Sequence, residues 1–269
     1  MNNIKSVSDT PFEPPALNIL YEDDSLVAVC KPEGLLVHKS NIDKHETVFL
    51  LQQLRDQIGC YIYPVHRLDK PTSGVIIFAK SPEVAAAIKL QMENNCAIKE
   101  YLLLCRGYCP ESGRIDHPLK PIVDFKNKRG KAQAQKPAQE AVTDFERLAT
   151  IEITAAIDKY PTSRFSLVKA RLQTGRKHQI RRHFKHLSHP IIGCPKYGKS
   201  KYNHYFAQHF GAGRLLLHAY RLVLEHPVTG EKLVFCAHLE GAFLSVVERF
   251  GWLEVIASPS KDLSDSALQ

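Results

Sequence analysis

Residues 66–80 read HRLDKPTSGVIIFAK, a polar loop that leads directly into an apolar segment. The apolar residues after Gly74 form a short continuous run, which predicts a strand buried on both faces. Pro71 restricts the loop backbone before that strand, so the carboxylate of Asp69 is held rigidly and stays ionised beside Arg67. On these local features Asp69 fits two interpretations: a positioned nucleophile or base, or a residue that caps a turn.

Strands and helices are predicted on both sides of this segment. Two β-rich runs at 19–22 and 26–31 flank a polar turn and predict a hairpin. Apolar residues recur at helical spacing from 47 to 58, and Gly59 supplies a stop. Ser81 is a typical N-cap and predicts a helix that runs to about residue 95. Further strands are predicted at 99–108, 141–150, 164–173 and 214–224, a hairpin turn at 227–231, and helices at 177–187 and 242–250.

The irregular mixture of strands and helices predicts a single α+β domain on a mostly antiparallel mixed sheet, flanked by helices and loops. We expect the domain at 17–257, after a flexible Pro-rich segment at 1–16 and before a polar tail at 258–269. Residues 120–140 carry six Lys or Arg against two acids and almost no apolar periodicity. They therefore predict a basic surface loop.

The composition is that of a globular protein, with 44% hydrophobic and 24% charged residues in a chain of 269. No apolar run reaches about 18 residues, and the N-terminus lacks the charged-then-apolar pattern of a signal peptide. We therefore expect a cytoplasmic protein without a membrane partner and, in the absence of an exposed apolar seam, a monomer. The seven cysteines form no CxxC pair and are expected to be buried reduced thiols.

Charge points to a polyanionic partner. The chain has 36 Lys and Arg against 28 Asp and Glu, a net charge of +8. Between Asp158 and Glu225 there is no acidic residue, whereas fourteen Lys and Arg fall in that interval. A basic surface without any ligand is the alternative, but its self-repulsion would cost stability that binding offsets.

The basic interval contains TGRKHQIRRHFKH at 174–186, in which Gly175 permits a tight turn before a helix. Cations and imidazoles without an interleaved carboxylate suit phosphate oxygens. The histidines lack HExxH spacing and an accompanying acid, so we expect no metal site. The cationic face of the helix carries His178, Arg181, Arg182, Lys185 and His186, and its buried side carries Ile180, Phe184 and Leu187. In the basic loop the candidates for phosphate contact are Lys126, Lys128, Arg129 and Lys131.

Other reaction classes fit poorly. HRLD is similar to the HRD loop of protein kinases, but the chain has no GxGxxG, DFG or APE, and it has no GxxxxGK[ST] loop for nucleotide-driven phosphoryl transfer. Glycoside hydrolysis needs a second carboxylate near Asp69, and the basic half of the chain offers none. One carboxylate facing a polyanion-binding surface remains.

Four motifs together resemble the RluA-like pseudouridine synthases: HRLDKPTSGVIIFAK, KEYLLLCRG, LQTGRKHQIRRHFKHLSHPIIG and RLLLHAYRL, in the same order and at comparable spacing. The resemblance covers about residues 17–252. Within the family, RDQIG and YPTSRFSLV are similar to the branch that modifies uridine 65 of tRNA. A ribosomal RNA substrate and a non-catalytic RNA-binding protein or chaperone are the alternatives.

The resemblance implies a role for each matching residue. Asp69 would be the catalytic aspartate, Tyr101 would stack on the flipped base, and Arg181 would pair with the aspartate. Arg67 would take the place of the extruded nucleotide, which is physically sensible because flipping costs a few kcal/mol of stacking. Leu215 or Leu217 would form the apolar floor of the pocket. No cofactor, nucleotide or metal is implied, and the substrate would be tRNA. The RNA-binding candidates are His66, Arg67, Arg176, Lys177, His178, Arg182 and Lys185.

One position departs from the family. Cys194 follows HPIIG, where relatives usually have Asp. We expect the change to remove a carboxylate from the rim of the site and at most to alter a structural contact, without touching the proposed catalytic residues.

Overall fold

A computed structural model describes residues 14–38, 47–122 and 136–257 of the chain. Within these ranges ten strands form one mixed sheet, and six helices flank it. Every strand pair described is antiparallel except β4 with β9. The predicted α+β class on a mostly antiparallel sheet is confirmed. The strands are β1 (Asn18–Glu22), β2 (Leu26–Lys31), β3 (Tyr63–Pro64), β4 (Ser73–Ala79), β5 (Ile98–Arg106), β6 (Ser112–Asp116), β7 (Val142–Ile153), β8 (Ser163–Leu172), β9 (Leu217–Glu225) and β10 (Lys232–Cys236). The helices are α1 (Leu50–Ile58), α2 (Pro82–Glu93), α3 (Gln179–His186), α4 (Ser200–Phe210), α5 (Gly241–Arg249) and α6 (Leu253–Ala257).

The order of the strands places β9 between β4 and β5. Along the sheet the order is β1-β2-β4-β9-β5-β8-β7-β6, with β10 paired to β9 and β3 paired to β4. β9 joins β4 in parallel through Ser73 and Gly74, and joins β5 antiparallel along residues 98–103. Asp69 lies in the loop before β4, and Tyr101 lies on β5. The strand that joins β4 to β5 is β9, which comes much later in the sequence.

The core lies on both faces of the sheet, and β4 shows why the sequence requires this. Val75, Ile77 and Ala79 pack in the same apolar cluster as residues of α2, whereas Ile76 and Phe78 pack in the cluster that includes residues of α1. Side chains alternate between the faces of a strand, so an uninterrupted apolar run must be covered twice. β5 is buried in the same way between α3 on one face and α4 with α5 on the other.

Most predicted elements are confirmed with boundaries shifted by a few residues. The structure contains the first hairpin, the central strands and the helix capped by Ser81. The Ser81 side chain accepts a hydrogen bond from the Val84 amide. Gly59 ends α1 in the left-handed conformation, as predicted. α3 begins at Gln179 instead of Lys177. β3, β6, α4 and α6 were not predicted from the sequence.

The cysteines are all free, but not all are buried. Four are buried as expected, Cys60 and Cys236 are half-buried, and Cys96 in the turn before β5 is exposed. The expectation of burial is therefore wrong for Cys96. None of the helices in the described ranges is long and apolar enough to cross a membrane.

We predict that Gly74→Ala unfolds at a much lower denaturant concentration than the natural protein. Gly74 has a φ of +112°, and a Cβ there would overlap the carbonyl oxygen of Ala219 on the neighbouring strand. Strain and overlap together should lower the free energy of unfolding by about 3 kcal/mol or more, measured by urea unfolding. Gly213→Ala is the control, because its Cβ would meet only the Ala207 methyl at 3.8 Å. Equal stability of the two variants would contradict the prediction.

Candidate active site

The loop that carries Asp69 is held in place by a buried lysine. Lys31 is fully buried, and its Nζ donates hydrogen bonds to the carbonyls of Pro32, Leu35 and Lys70 at 2.7, 2.8 and 3.1 Å. Burial, and secondarily the charge of Arg214, lower the pKa of Lys31 to about 7. Three carbonyl acceptors use all three protons of an ammonium group. Lys31 thereby ties the turn after β2 to the residue that follows Asp69.

The C-terminal end of the same loop is fixed to β9. The Nε2 of His218 lies 2.9 Å from the Ala237 carbonyl, so it donates there and leaves Nδ1 as the acceptor. The Ser73 hydroxyl lies 2.7 Å from that Nδ1, donates to it, and accepts a 2.8 Å hydrogen bond from Arg214. Arg214 also pairs with Glu33. Both ends of the loop are thus immobilised by buried polar contacts.

Asp69 meets its principal partner across 112 residues of sequence. The Nη1 of Arg181 donates a 2.8 Å hydrogen bond to Oδ2, and the Arg181 side chain is only 5% exposed. The second oxygen, Oδ1, lies 3.7 Å from Nε2 of His178, and among the described residues it accepts no hydrogen bond. The charge-assisted bond to Arg181 holds one oxygen of the carboxylate in a fixed direction, and the described residues leave the other oxygen without a hydrogen bond.

Arg181, Tyr197 and His178 close a ring of contacts around this carboxylate. The guanidinium of Arg181 stacks over the Tyr197 ring at 5.3 Å, and the Tyr197 hydroxyl lies 3.1 Å from Nδ1 of His178. If the hydroxyl donates to Nδ1, the N–H at Nε2 faces Asp69; the other tautomer would set a lone pair against a carboxylate oxygen. His178 has a φ of +57°, an unfavourable conformation for a residue with a Cβ, and such strain is typical of functional sites.

Cys194 lies against Arg181. It is buried, and its Sγ is 3.4 Å from Nε of Arg181. The cysteine therefore does touch a residue that was proposed as catalytic, contrary to the expectation. The reason is that the HPIIG segment and α3 are packed in one apolar cluster, which brings the residue after Gly193 under the guanidinium.

The start of α3 is held by a hydrogen-bond network centred on Gln179. Its Nε2 donates to the Val142 carbonyl and to the Thr143 hydroxyl, both at 2.9 Å. Its Oε1 accepts from the Thr174 hydroxyl at 2.8 Å and from the Arg176 amide at 2.9 Å. Every polar atom of this buried side chain is satisfied, so the network fixes the helix on β7 and aims Arg181 at the aspartate.

Several histidines of the site are neutral at physiological pH. Burial lowers the pKa of His178 to about 4, against the opposing effect of Asp69. Burial also lowers the pKa of His183 to about 4; this ring contacts the Thr143 hydroxyl at 2.9 Å and the His117 carbonyl at 3.1 Å. Positive charge in the site therefore comes from arginine and lysine.

A cavity of about 590 Å³ opens in front of Asp69. Tyr101 lines it, and burial followed by the charge of Asp69 raises the pKa of Tyr101 far above its usual range, so the phenol stays protonated. Leu217 also lines the cavity, whereas Leu215 is buried in the adjoining core. Of the two leucines considered for the floor, the structure favours Leu217.

The remaining candidates are distributed around this cavity. Arg67 and Arg176 are exposed and line it, and the Arg176 Nε also donates to the Glu140 carbonyl. His66 and His178 line it as neutral rings. Lys177 and Lys185 are exposed, and Arg182 is half-buried. Lys126, Lys128, Arg129 and Lys131 lie outside the described residues, so their role stays a prediction. Within the described ranges no three His, Cys, Asp or Glu side chains cluster as metal ligands would.

Comparison with known proteins identifies relatives of this chain. Residues 25–186 match the family model described as RNA pseudouridylate synthase. A Pasteurella multocida protein named tRNA pseudouridine synthase C is 50% identical over 236 residues, covering 88% of this chain and 97% of that protein. A Haemophilus influenzae protein of the same name is 46% identical over 239 residues, covering 89% and 100%.

Two solved structures share the fold. Human RNA pseudouridylate synthase domain containing 4 has a TM-score of 0.64 at 23% identity, covering 87% of this chain and 93% of that one. Human RNA pseudouridylate synthase domain containing 1 has a TM-score of 0.62 at 24% identity, covering 85% and 86%.

We predict that His183 makes the fold sensitive to acid. Its pKa in the folded protein is about 4, below the ordinary 6.5, so as pH falls the unfolded chain binds the proton first. The contribution of neutral His183 to the free energy of unfolding is complete above pH 6.5 and is lost as the pH falls towards 4. In His183→Gln the decline of unfolding free energy between pH 6.5 and 4 should be smaller by at most about 3 kcal/mol.

The measurement is urea unfolding at several pH values. His204→Gln is the control, because His204 is exposed on α4, and its decline should match that of the natural protein. If the unfolding free energy of His183→Gln declined with falling pH as steeply as that of the natural protein, His183 would not be the source of the acid sensitivity.

Proposed function

The chain belongs to the RNA pseudouridylate synthase family and is an isomerase that acts on tRNA, and from that premise we propose that Asp69 is its catalytic carboxylate. The reaction breaks the bond between N1 of uracil and C1′ of the ribose, rotates the base and joins C5 to C1′. The proton on C5 leaves and N1 gains one, so nothing is added overall and no cofactor is required.

One observation carries the assignment of Asp69: the carboxylate is paired through Oδ2 with buried Arg181 inside the cavity, while Oδ1 accepts no hydrogen bond from the described residues. The pair fixes the direction of the carboxylate, as a nucleophile or a base requires. We propose Oδ1 as the oxygen that reacts, because Oδ2 is occupied by the guanidinium.

Uridine in a folded RNA must leave its stack to reach this carboxylate. Extrusion costs a few kcal/mol, and an aromatic surface in the pocket recovers part of it by stacking. We assign the stacking surface to Tyr101 and the apolar floor to Leu217, both of which line the cavity. Arg67 is exposed at the cavity, two residues before Asp69, where it can enter the space that the base leaves.

We propose uridine 65 as the target within tRNA. The support is the likeness of RDQIG, YPTSRFSLV and the doubled arginine of the third motif to the branch with that specificity. Phosphate contacts are assigned to the basic residues around the cavity and, as a prediction, to the four cations of the basic loop. The exposed Lys177 and Lys185 extend the same surface along α3.

We also propose that the enzyme works as a monomer in the cytoplasm. The support for a monomer is that the large apolar side chains exposed in the described ranges, such as Tyr61, Tyr160 and Val228, are scattered along the chain. Singly exposed apolar residues are ordinary on monomeric proteins. The support for the cytoplasm is the substrate, since tRNA is modified there.

We predict that Asp69→Asn abolishes turnover without unfolding the protein. The amide keeps the shape of the side chain but cannot act as a nucleophile or base, so pseudouridine formation in tRNA should fall by a factor of ~10³ or more. Asp116→Asn is the control, because Asp116 is an exposed carboxylate at the end of β6. RNA affinity should persist in Asp69→Asn, which separates a catalytic from a purely RNA-binding function. Near-normal turnover in this variant would eliminate Asp69 as the catalyst.

The position of the target is tested with tRNA transcripts in which cytidine replaces uridine 65. The natural transcript should acquire one pseudouridine at that position, and the substituted transcript should acquire none. Ribosomal RNA transcripts serve as the competing substrate. Modification of ribosomal RNA in preference to tRNA, or modification of the substituted transcript, would overturn the proposed specificity.

A further inference from the structure

One wall of the cavity is not used by the chemistry described so far. It is lined by His66, from the loop before Asp69, by Met92 and Glu93 at the end of α2, by Asn95 in the turn after it, and by Lys99 on β5. Glu93 is exposed and forms no ion pair with Lys99 among the described residues. The proposed reaction uses Asp69, Arg181, Tyr101 and Leu217, which also line the cavity. His66 and Lys99 have so far only the general assignment of phosphate contacts to basic residues around the cavity, without a specific phosphate.

Lys99 is the cation of this wall. It lies two residues before Tyr101 on β5, so both side chains point to the same face, about 7 Å apart along the strand. The carboxylate next to it in sequence, Glu100, points to the other face and pairs with Arg221. In the part of the chain that the structure describes, no acid lies within ion-pair distance of Lys99 and no acceptor binds its ammonium group.

His66 provides a second donor beside it. The Nε2 of His66 accepts a 3.1 Å hydrogen bond from the Ile77 amide, which fixes the proton on Nδ1. Burial, and then the charge of Lys99, lower the pKa of His66 to about 4. The ring is neutral and leaves an N–H on Nδ1 for which no acceptor is found within the described ranges.

We propose that Lys99 and His66 form a binding subsite for one phosphodiester group of the RNA, the group adjoining the nucleotide whose base stacks on Tyr101. The inference rests on the proposed function, because it places the target base against Tyr101.

The chemistry of the two groups selects this ligand. A half-buried ammonium without a counter-charge is destabilised, and burial lowers the pKa of Lys99 accordingly. An incoming anion relieves that cost, and a phosphodiester oxygen also accepts from a neutral N–H. The backbone phosphates of the flipped nucleotide are the anions that must arrive with the base. Lys99 lies about 7 Å along β5 from Tyr101, and this distance is short enough for it to reach a phosphate of a nucleotide whose base stacks on the tyrosine ring.

The experiment combines charge removal on the protein with charge removal on the RNA. Lys99→Gln and the natural enzyme are compared on tRNA stem-loops that carry a single neutral methylphosphonate linkage on the 5′ or the 3′ side of the target uridine. Lys89→Gln is the matched control, since Lys89 is an exposed lysine of α2 that does not line the cavity. Lys99→Arg keeps the positive charge.

With the charged stem-loop, kcat/KM of Lys99→Gln should fall about tenfold, and its dependence on salt should lose about one unit of slope. One of the two neutral linkages should weaken the natural enzyme, Lys89→Gln and Lys99→Arg by a similar factor, but leave Lys99→Gln almost unaffected. Such loss of sensitivity identifies the phosphate that Lys99 binds, and a merely structural lysine would not produce it.

The outcomes separate the two proposals. If the natural enzyme forms pseudouridine but Lys99→Gln stays as sensitive to both neutral linkages as Lys89→Gln, the subsite alone is overturned. If the natural enzyme forms no pseudouridine in the charged stem-loop or in full-length tRNA, the proposed function fails, and the subsite fails with it.

Discussion

The ion pair between Asp69 and Arg181 is the interaction on which the site depends. Two charges in a partly buried place cost several kcal/mol of desolvation each, and only good geometry and further hydrogen bonds offset that cost. The structure provides both: Lys31 and Ser73 fix the loop of the aspartate, and Gln179 fixes the helix of the arginine. The two partners come from distant segments, and the segment that carries each of them is held in place by its own hydrogen bonds.

Around this pair the buried histidines are neutral, and the positive charge comes from arginine and lysine. Buried histidines have lowered pKa values and remain neutral, so they fill space and donate hydrogen bonds without adding charge. Exposed cations lie at the cavity, as with Arg67 and Arg176, and on α3, as with Lys185. Arg181 is the only guanidinium paired with Asp69 in the described residues.

The strands and helices that could be predicted from the sequence are those whose apolar content, periodicity or capping residue is distinctive. β4 was recognisable because a continuous apolar run has to be covered on both faces, and α2 because of its capping serine. α4 was missed because SKYNHYFAQHF is mostly polar and aromatic, and its burial depends on tertiary packing of Tyr202 and Phe206. Lys31 was missed because a lysine at the end of a strand is usually solvated. Tyr197, Gln179 and the contact of Cys194 with Arg181 depend on chain segments that meet only in three dimensions, so no local pattern signals them.

The position of β9 has a consequence for how the enzyme comes into being. By the time residue 186 has been synthesised, the chain contains Asp69, Tyr101 and Arg181, yet the strand that joins β4 to β5 starts only at Leu217. Closing such distant pairings is slow and must wait for the late segment. A polypeptide that stops before Leu217 thus contains Asp69, Tyr101 and Arg181 but lacks the strand that joins β4 to β5. The alignment of the three side chains depends on a segment that is synthesised after all of them.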